Sequence, residues 1–146
     1  MKTLLLYGST NNSTKSVVES LSKKLSFPYD VVNVKELSSS YAPDDYDLLL
    51  FFAPTYGDDE LQDDMERFLV DWKQDLSGKY YAICELGNYY GYDDFSYGAM
   101  NIIKTVIEPM GAKEFIQPVS MDSLPKKDWE LFDSWCDLLN KEYHNA

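Results

Sequence analysis

Three stretches of the chain concentrate residues able to bind a ligand. The first, Gly8-Ser9-Thr10-Asn11-Asn12-Ser13-Thr14, follows an apolar run and leads into a segment with helical spacing. Every residue after its glycine offers a hydroxyl or an amide. The N–H groups that open a helix are unpaired and carry the positive end of its dipole. Polar side chains and free amides together make a cradle for a phosphate. The loop holds no Lys or Arg, which suits a stationary monoester. A transferred phosphoryl group would need Lys and Mg²⁺. Taken alone, the loop also reads as a polar turn with a well-capped helix.

The second stretch, from Ala53 through Pro54, Thr55, Tyr56, Gly57, Asp58 and Asp59 to Asp64, is acidic and carries one large aromatic. Tyr56 could cover a flat ring, and Gly57 would let the neighbouring backbone come close and change conformation. Its plain alternative is a solvated loop capping a helix. The third stretch runs from Leu86 and Gly87 through Asn88, Tyr89, Tyr90, Gly91, Tyr92, Asp93 and Asp94 to Phe95. Tyrosine supplies a rigid stacking face, and glycine lets backbone groups reach a ligand edge. Aromatic packing over the end of a sheet is the alternative here.

The elements between these loops alternate strictly. Thr3 to Tyr7 reads as a strand, Thr14 to about Leu25 as a helix with Val17, Val18, Leu21 and Leu25 on one face, and Tyr29 to Val34 as a second strand. Asp47 to Ala53 is a continuous apolar run, as in the centre of a parallel sheet. Asp63 or Asp64 is expected to cap a helix to about Leu76, with Met65, Phe68, Leu69, Trp72 and Leu76 inward. Lys79 to Leu86 reads as a fourth strand, and Phe95 to Met110 as a helix closed at Gly111. Phe115 to Val119 reads as a fifth, edge strand. Pro125 is expected to open a last helix whose face is Trp129, Phe132, Trp135, Cys136 and Leu139. Five strands alternating with four helices require parallel strands with helices on both faces. Such sheets bind ligands beyond the carboxyl ends of their strands, where all three loops emerge.

The 146 residues fit one domain, read as 1–146, with 45% hydrophobic and 26% charged residues. Thirteen Lys and Arg against 25 Asp and Glu give a net charge of −12, which argues against nucleic acid or an anionic membrane as partner. It suits a partner with a basic face. Cys84 and Cys136 sit in apolar surroundings and read as buried free thiols, and no metal-ligand spacing occurs. The apolar run at the amino terminus is too short for a secretory signal and nothing is long enough to span a membrane. The expected location is the cytoplasm.

A phosphate cup beside two aromatic loops, almost free of basic residues, matches the needs of a flavin mononucleotide: a seat for phosphate, two walls for a planar ring, and backbone groups at its pyrimidine edge. At these residues the sequence resembles the flavodoxins. Ser9 through Thr14 is similar to the family's phosphate loop, with Asn11 at the position of a second Thr and Asn12 where glycine is usual. Asn tolerates left-handed backbone well among non-glycine residues. Thr55-Tyr56-Gly57-Asp58-Asp59-Glu60-Leu61-Gln62 resembles the second loop, and Gly87 through Phe95 the third, with Asn88 where Asp is common.

The resemblance implies a flavodoxin-like three-layer sandwich with a five-stranded parallel sheet in the order 2-1-3-4-5, short-chain in length. It implies bound FMN and low-potential one-electron transfer between reductase-type donors and acceptor oxidoreductases, without substrate turnover of its own; the acidic single domain suggests a monomer. By the same resemblance Ser9, Thr10, Asn11, Asn12, Ser13 and Thr14 hold the phosphate, Tyr56 and Tyr92 sandwich the ring, and Asn88 meets the pyrimidine edge. The Gly57–Asp58 peptide turns its carbonyl toward the ring on one-electron reduction. Pro54, Thr55, Leu86, Gly87, Tyr89, Asp93 and Phe95 complete the candidate cofactor-binding set. The rival readings are a flavodoxin-fold enzyme (a quinone reductase or a ribonucleotide-reductase activating flavoprotein), a receiver domain, and a module that has lost its FMN. A receiver would need paired acids after the first strand, where Gly8-Ser9 stands.

Overall fold

The structure, a computed structural model, describes residues 1–10, 12–56, 60–87, 98–122 and 127–146. The strands are β1 (Thr3–Tyr7), β2 (Asp30–Asn33), β3 (Leu48–Tyr56), β4 (Glu60–Leu61), β5 (Tyr80–Gly87), β6 (Lys113–Glu114) and β7 (Val119–Asp122). The helices are α1 (Ser13–Ser20), α2 (Asp63–Val70), α3 (Gly98–Ile107) and α4 (Trp129–Asn145). Single 3₁₀ turns at Leu21–Lys23 and Val34–Glu36 follow α1 and β2.

β2, β1, β3 and β5 lie side by side and parallel, with Leu5 opposite Val31 and Leu50, and Phe52 opposite Cys84. β6 and β7 both pair parallel with the outer side of β5. They form one lane in two pieces, so the expected five-lane order holds while the strand count does not. The expected fifth strand, Phe115 to Val119, coincides largely with the break. Pro118 has no N–H for a ladder, and the carbonyl of Gln117 accepts from the Trp135 indole at 3.2 Å instead of from a neighbouring strand.

The central strands β1, β3 and β5 are buried on both faces, which is why they read as largely apolar runs. Side-chain alternation divides β3 between two cores. Leu49, Phe51 and Ala53 join Tyr81 and Ile83 beneath α2 and α3, whereas Leu48, Leu50 and Phe52 join Ala82 and Cys84 beneath α1 and α4. In the second core the Phe52 ring meets those of Phe132 and Trp135 edge-on at 6.3 and 5.7 Å. Both cysteines are free and buried there.

All four helices depart from the sequence reading at one limit: α1 ends at Ser20 and passes into a 3₁₀ turn instead of running to Leu25, and α3 ends at Ile107 instead of Met110. α2 stops at Val70, although Trp72 and Leu76 are buried as expected. The chain leaves the helix because tertiary partners take its polar groups. The Trp72 indole donates to the Tyr41 carbonyl at 2.8 Å, and the Leu76 N–H donates to the Met110 carbonyl at 2.8 Å. α4 begins at Trp129, capped by Asp128, whose carboxylate accepts from the Leu131 N–H at 3.1 Å. Pro125, the expected first-turn residue, lies outside the described residues and upstream of the helix. Gly111 closes the turn after α3 at φ +106°, where a β-carbon would meet Ser77 Oγ at 2.8 Å.

Candidate functional site

The site is built at the carboxyl ends of β1, β3 and β5. At the first of these the Gly8 N–H donates to the Phe52 carbonyl at 3.0 Å, tying the start of the loop to the central strand. Asn12 then takes φ +65°, the one described non-glycine residue at positive φ. This is the left-handed turn that the polar loop requires, achieved with Asn in place of glycine. Asn12 stands at the N-cap of α1, yet its side chain makes no capping bond. The first intrahelical bond runs from the Ser16 N–H to the Asn12 carbonyl at 2.9 Å. Ser9 turns its hydroxyl toward the helix and accepts from the Lys15 N–H at 3.4 Å.

Thr14, in the first turn of α1, is 1% exposed, and its hydroxyl has no partner among the described residues. Burying a hydroxyl without a partner costs about 1–3 kcal/mol. The Thr3 and Ser120 hydroxyls are also without partners among the described residues. Thr3 starts β1 at the opposite end of the sheet, and Ser120 lies within β7. Thr14 alone stands in the loop that the sequence marks as a phosphate cradle. A hydroxyl lacking a bond among the described residues and a left-handed turn at the helix start fit a phosphate monoester.

A residue outside the expected set organises this cradle. Gln62 is fully buried and caps α2, its Oε1 accepting from the Met65 N–H at 2.9 Å. Its Nε2 donates to Thr10 Oγ1 at 3.2 Å and to Asp64 Oδ2 at 3.0 Å. The cap is therefore Gln62, not Asp63 or Asp64. An amide can accept from the helix and donate to the first loop at once, which a carboxylate cannot. Gly8 leaves room for it, since a β-carbon there would stand 2.2 Å from Gln62 Oε1. The sequence signal for this contact is the Glu-Leu-Gln run before the acidic helix start.

The second loop is not wholly irregular. β3 continues through Pro54 and Thr55 to Tyr56, and β4 returns antiparallel to it, pairing Thr55 with Leu61 and Tyr56 with Glu60. At the root of this ribbon the Thr55 hydroxyl donates to Glu85 Oε1 and accepts from the Ala99 N–H at 2.9 Å. Pro54 is buried and pairs in register with Leu86, so the second and third loops leave adjacent strand ends. Leu86 and Gly87 are buried at the end of β5. The first turn of α2 carries Asp63, Asp64 and Glu66, with Glu60 and Asp63 exposed, so the rim that can be described is acidic.

The structure thus brings Ser9, Thr10, Asn12, Ser13 and Thr14 into one loop and places Pro54, Thr55, Leu86 and Gly87 on adjacent strand ends. Asn11, Gly57, Asp58, Asn88, Tyr89, Tyr92, Asp93 and Phe95 lie outside the described residues, as does the side chain of Tyr56.

An α/β sheet with a polar cradle after its first strand and two further loops at the switch point defines a mononucleotide-binding class. The flavodoxin family model matches residues 5–135. The flavodoxin of Maridesulfovibrio salexigens is 29% identical over 135 residues, covering 87% of this chain and 90% of that protein. The flavodoxin of Haemophilus influenzae is 30% identical over 111 residues, covering 74% of this chain and 63% of that longer protein. Among solved structures, Fusobacterium nucleatum flavodoxin bound to flavin mononucleotide superposes with a TM-score of 0.81 at 18% identity, covering 97% and 99% of the two chains. Oxidised flavodoxin 2 of Bacillus cereus does so at 0.80 and 21%, over 99% of each. The chain belongs to the flavodoxin family.

Proposed function

We propose that this protein binds FMN non-covalently at the carboxyl ends of β1, β3 and β5 and works as a low-potential one-electron carrier between redox proteins. The observation that carries the reading is Thr14, a buried hydroxyl without a partner among the described residues, at a left-handed helix entry. Family membership and an FMN-bound relative support it.

When bound, FMN supplies the redox chemistry, taking up and releasing electrons singly. The protein binds and tunes. Ser9, Thr10, Asn11, Asn12, Ser13 and Thr14 hold the phosphate without a countercharge. Tyr56 and Tyr92 are assigned to the ring faces, Asn88 to its pyrimidine edge, and the Gly57–Asp58 peptide to its reacting side. Pro54, Thr55, Leu86, Gly87, Tyr89, Asp93 and Phe95 complete the contact set. Glu60, Asp63 and Glu66 surround the site with negative charge, which disfavours adding a second electron. The same charge steers the protein toward basic faces on reductase-type donors and acceptor oxidoreductases, at rates that fall with salt. The chain turns over no substrate of its own and acts as a cytoplasmic monomer. No described helix is long and apolar enough to cross a membrane.

Thr14→Val tests the reading, because it changes affinity and apoprotein stability in opposite directions. Removing the unpartnered hydroxyl leaves the apoprotein as stable as before or about 1 kcal/mol more so. Loss of a hydrogen bond to a charged group costs about 1.5–3 kcal/mol of FMN binding, roughly 10- to 150-fold in Kd. Flavin fluorescence quenching and urea unfolding measure the two. Unchanged FMN affinity removes Thr14 from the cradle. A wild-type protein that takes up no FMN overturns the reading.

A further inference from the structure

Glu85 is a fully buried acid that none of the assigned roles uses. It lies two residues before the end of β5, and strand alternation turns it to the face where Tyr81 and Ile83 pack beneath α2 and α3. There its Oε1 accepts from the Thr55 hydroxyl and from the Met100 N–H, the latter at 3.3 Å. The Thr55 oxygen is already taken as an acceptor by the Ala99 N–H at 2.9 Å. The hydroxyl proton is thereby directed at Glu85.

These bonds join three elements at one point: the end of β3, the end of β5 and the first turn of α3, which opens at Gly98. Thr55 directly precedes Tyr56 and residues 57–59, while Gly98, Ala99 and Met100 directly follow residues 88–97. The clamp therefore holds the root of the second loop to the far root of the third. Burying a carboxylate is costly unless it is hydrogen-bonded, and here the Met100 N–H in the first turn of α3 meets it at the positive end of the dipole. An apolar residue at position 85 would fill the space and tie neither loop.

We infer that Glu85 is a positioning residue of the flavin site: through Thr55 and the first turn of α3 it sets the spacing of the two ring loops, and its buried charge disfavours uptake of the second electron. The inference rests on the FMN-carrier reading. Glu85→Gln keeps an oxygen acceptor of the same shape and removes the charge. The two midpoint potentials of the FMN-loaded protein and the melting temperature of the apoprotein are measured for wild type and E85Q. The equilibrium constant of the second one-electron step rises about tenfold, or about 59 mV toward less negative potential, while that of the first step changes less. Potentials equal to wild type, with only apoprotein melting affected, make Glu85 purely structural and overturn the inference. Should E85Q not fold, Glu85→Asp decides the matter, since it keeps the charge and withdraws the carboxylate from Thr55 and Met100. A lowered FMN affinity with the second potential unchanged supports the clamp, and affinity and potentials equal to wild type overturn it. A wild type that takes up no FMN sinks the carrier reading along with this inference, whereas a loaded wild type beside an unshifted E85Q sinks the inference alone.

Discussion

Gly8→Ala is expected to be costly for a reason that can be isolated. The added methyl would stand 2.2 Å from Gln62 Oε1, 3.0 Å from Gln62 Cδ and 3.3 Å from Met65 Cβ. Gln62 has no exposure, so it cannot swing into solvent without unmaking the contacts that hold it. Displacing it removes the cap of α2, about 1 kcal/mol. It also weakens the bonds to Thr10 and Asp64, at about 0.5–1.5 kcal/mol each where they are buried. Crowding a close-packed site adds about 1–3 kcal/mol. These overlap, and a net loss of about 2–4 kcal/mol is expected for G8A. Urea unfolding of the apoproteins G8A, Q62A and G8A/Q62A closes a double-mutant cycle. With the Gln62 side chain already absent, Met65 Cβ at 3.3 Å is what remains of the three nearest contacts, and G8A is expected to cost less than about 1 kcal/mol. The coupling then lies at about 1–3 kcal/mol. Additive losses would refute the idea that Gly8 exists to admit Gln62. FMN affinity falls with the displacement too, because the Thr10 end of the cradle loses its anchor.

The Tyr46 hydroxyl donates to Asp30 Oδ2 at 2.6 Å, and this bond, aided by burial, pushes its pKa up to about 12. The unfolded chain releases that proton near pH 10, before the folded one. Its contribution is thus complete below about pH 10 and is lost as pH rises toward about 12. Urea unfolding across that window is expected to show a shallower alkaline decline in Tyr46→Phe, and an identical decline would count against the bond. Burial pushes the Cys84 thiol far up and the Cys136 thiol up to about 12. The native protein should therefore resist thiol reagents at pH 8 and react at both cysteines once unfolded. Rapid labelling of the folded protein would show that the second core opens.

The parts legible in the sequence are those that depend on near neighbours along the chain. Thr3 to Tyr7 and Asp47 to Ala53 announce themselves as strands because burial on both faces leaves Leu4 to Leu6 and Leu48 to Ala53 wholly apolar. The polar run from Ser9 to Thr14 reads as an anion cradle because its chemistry lies in consecutive hydroxyls, amides and helix N–H groups. The buried face of α2 and that of α4 apart from Trp129, which is 37% exposed, are likewise correct, since helical spacing records which side is apolar. Asn12 takes the left-handed turn at the start of α1, and Thr14 lies in its first turn.

The tertiary structure decided what depends on distant partners. Trp72 and Leu76 continue the helical spacing of α2, yet the chain leaves the helix there to meet Tyr41 and Met110, more than thirty positions away. The outer lane of the sheet breaks where Gln117 turns its carbonyl to Trp135. Gln62 looks like one more polar residue before an acidic helix, and only the approach of β1 makes it both cap and brace. Glu85 sits in an apolar strand as if misplaced. Its amide and hydroxyl partners come from α3 and β3, and no local pattern can register a charge stabilised by groups that folding alone brings to it.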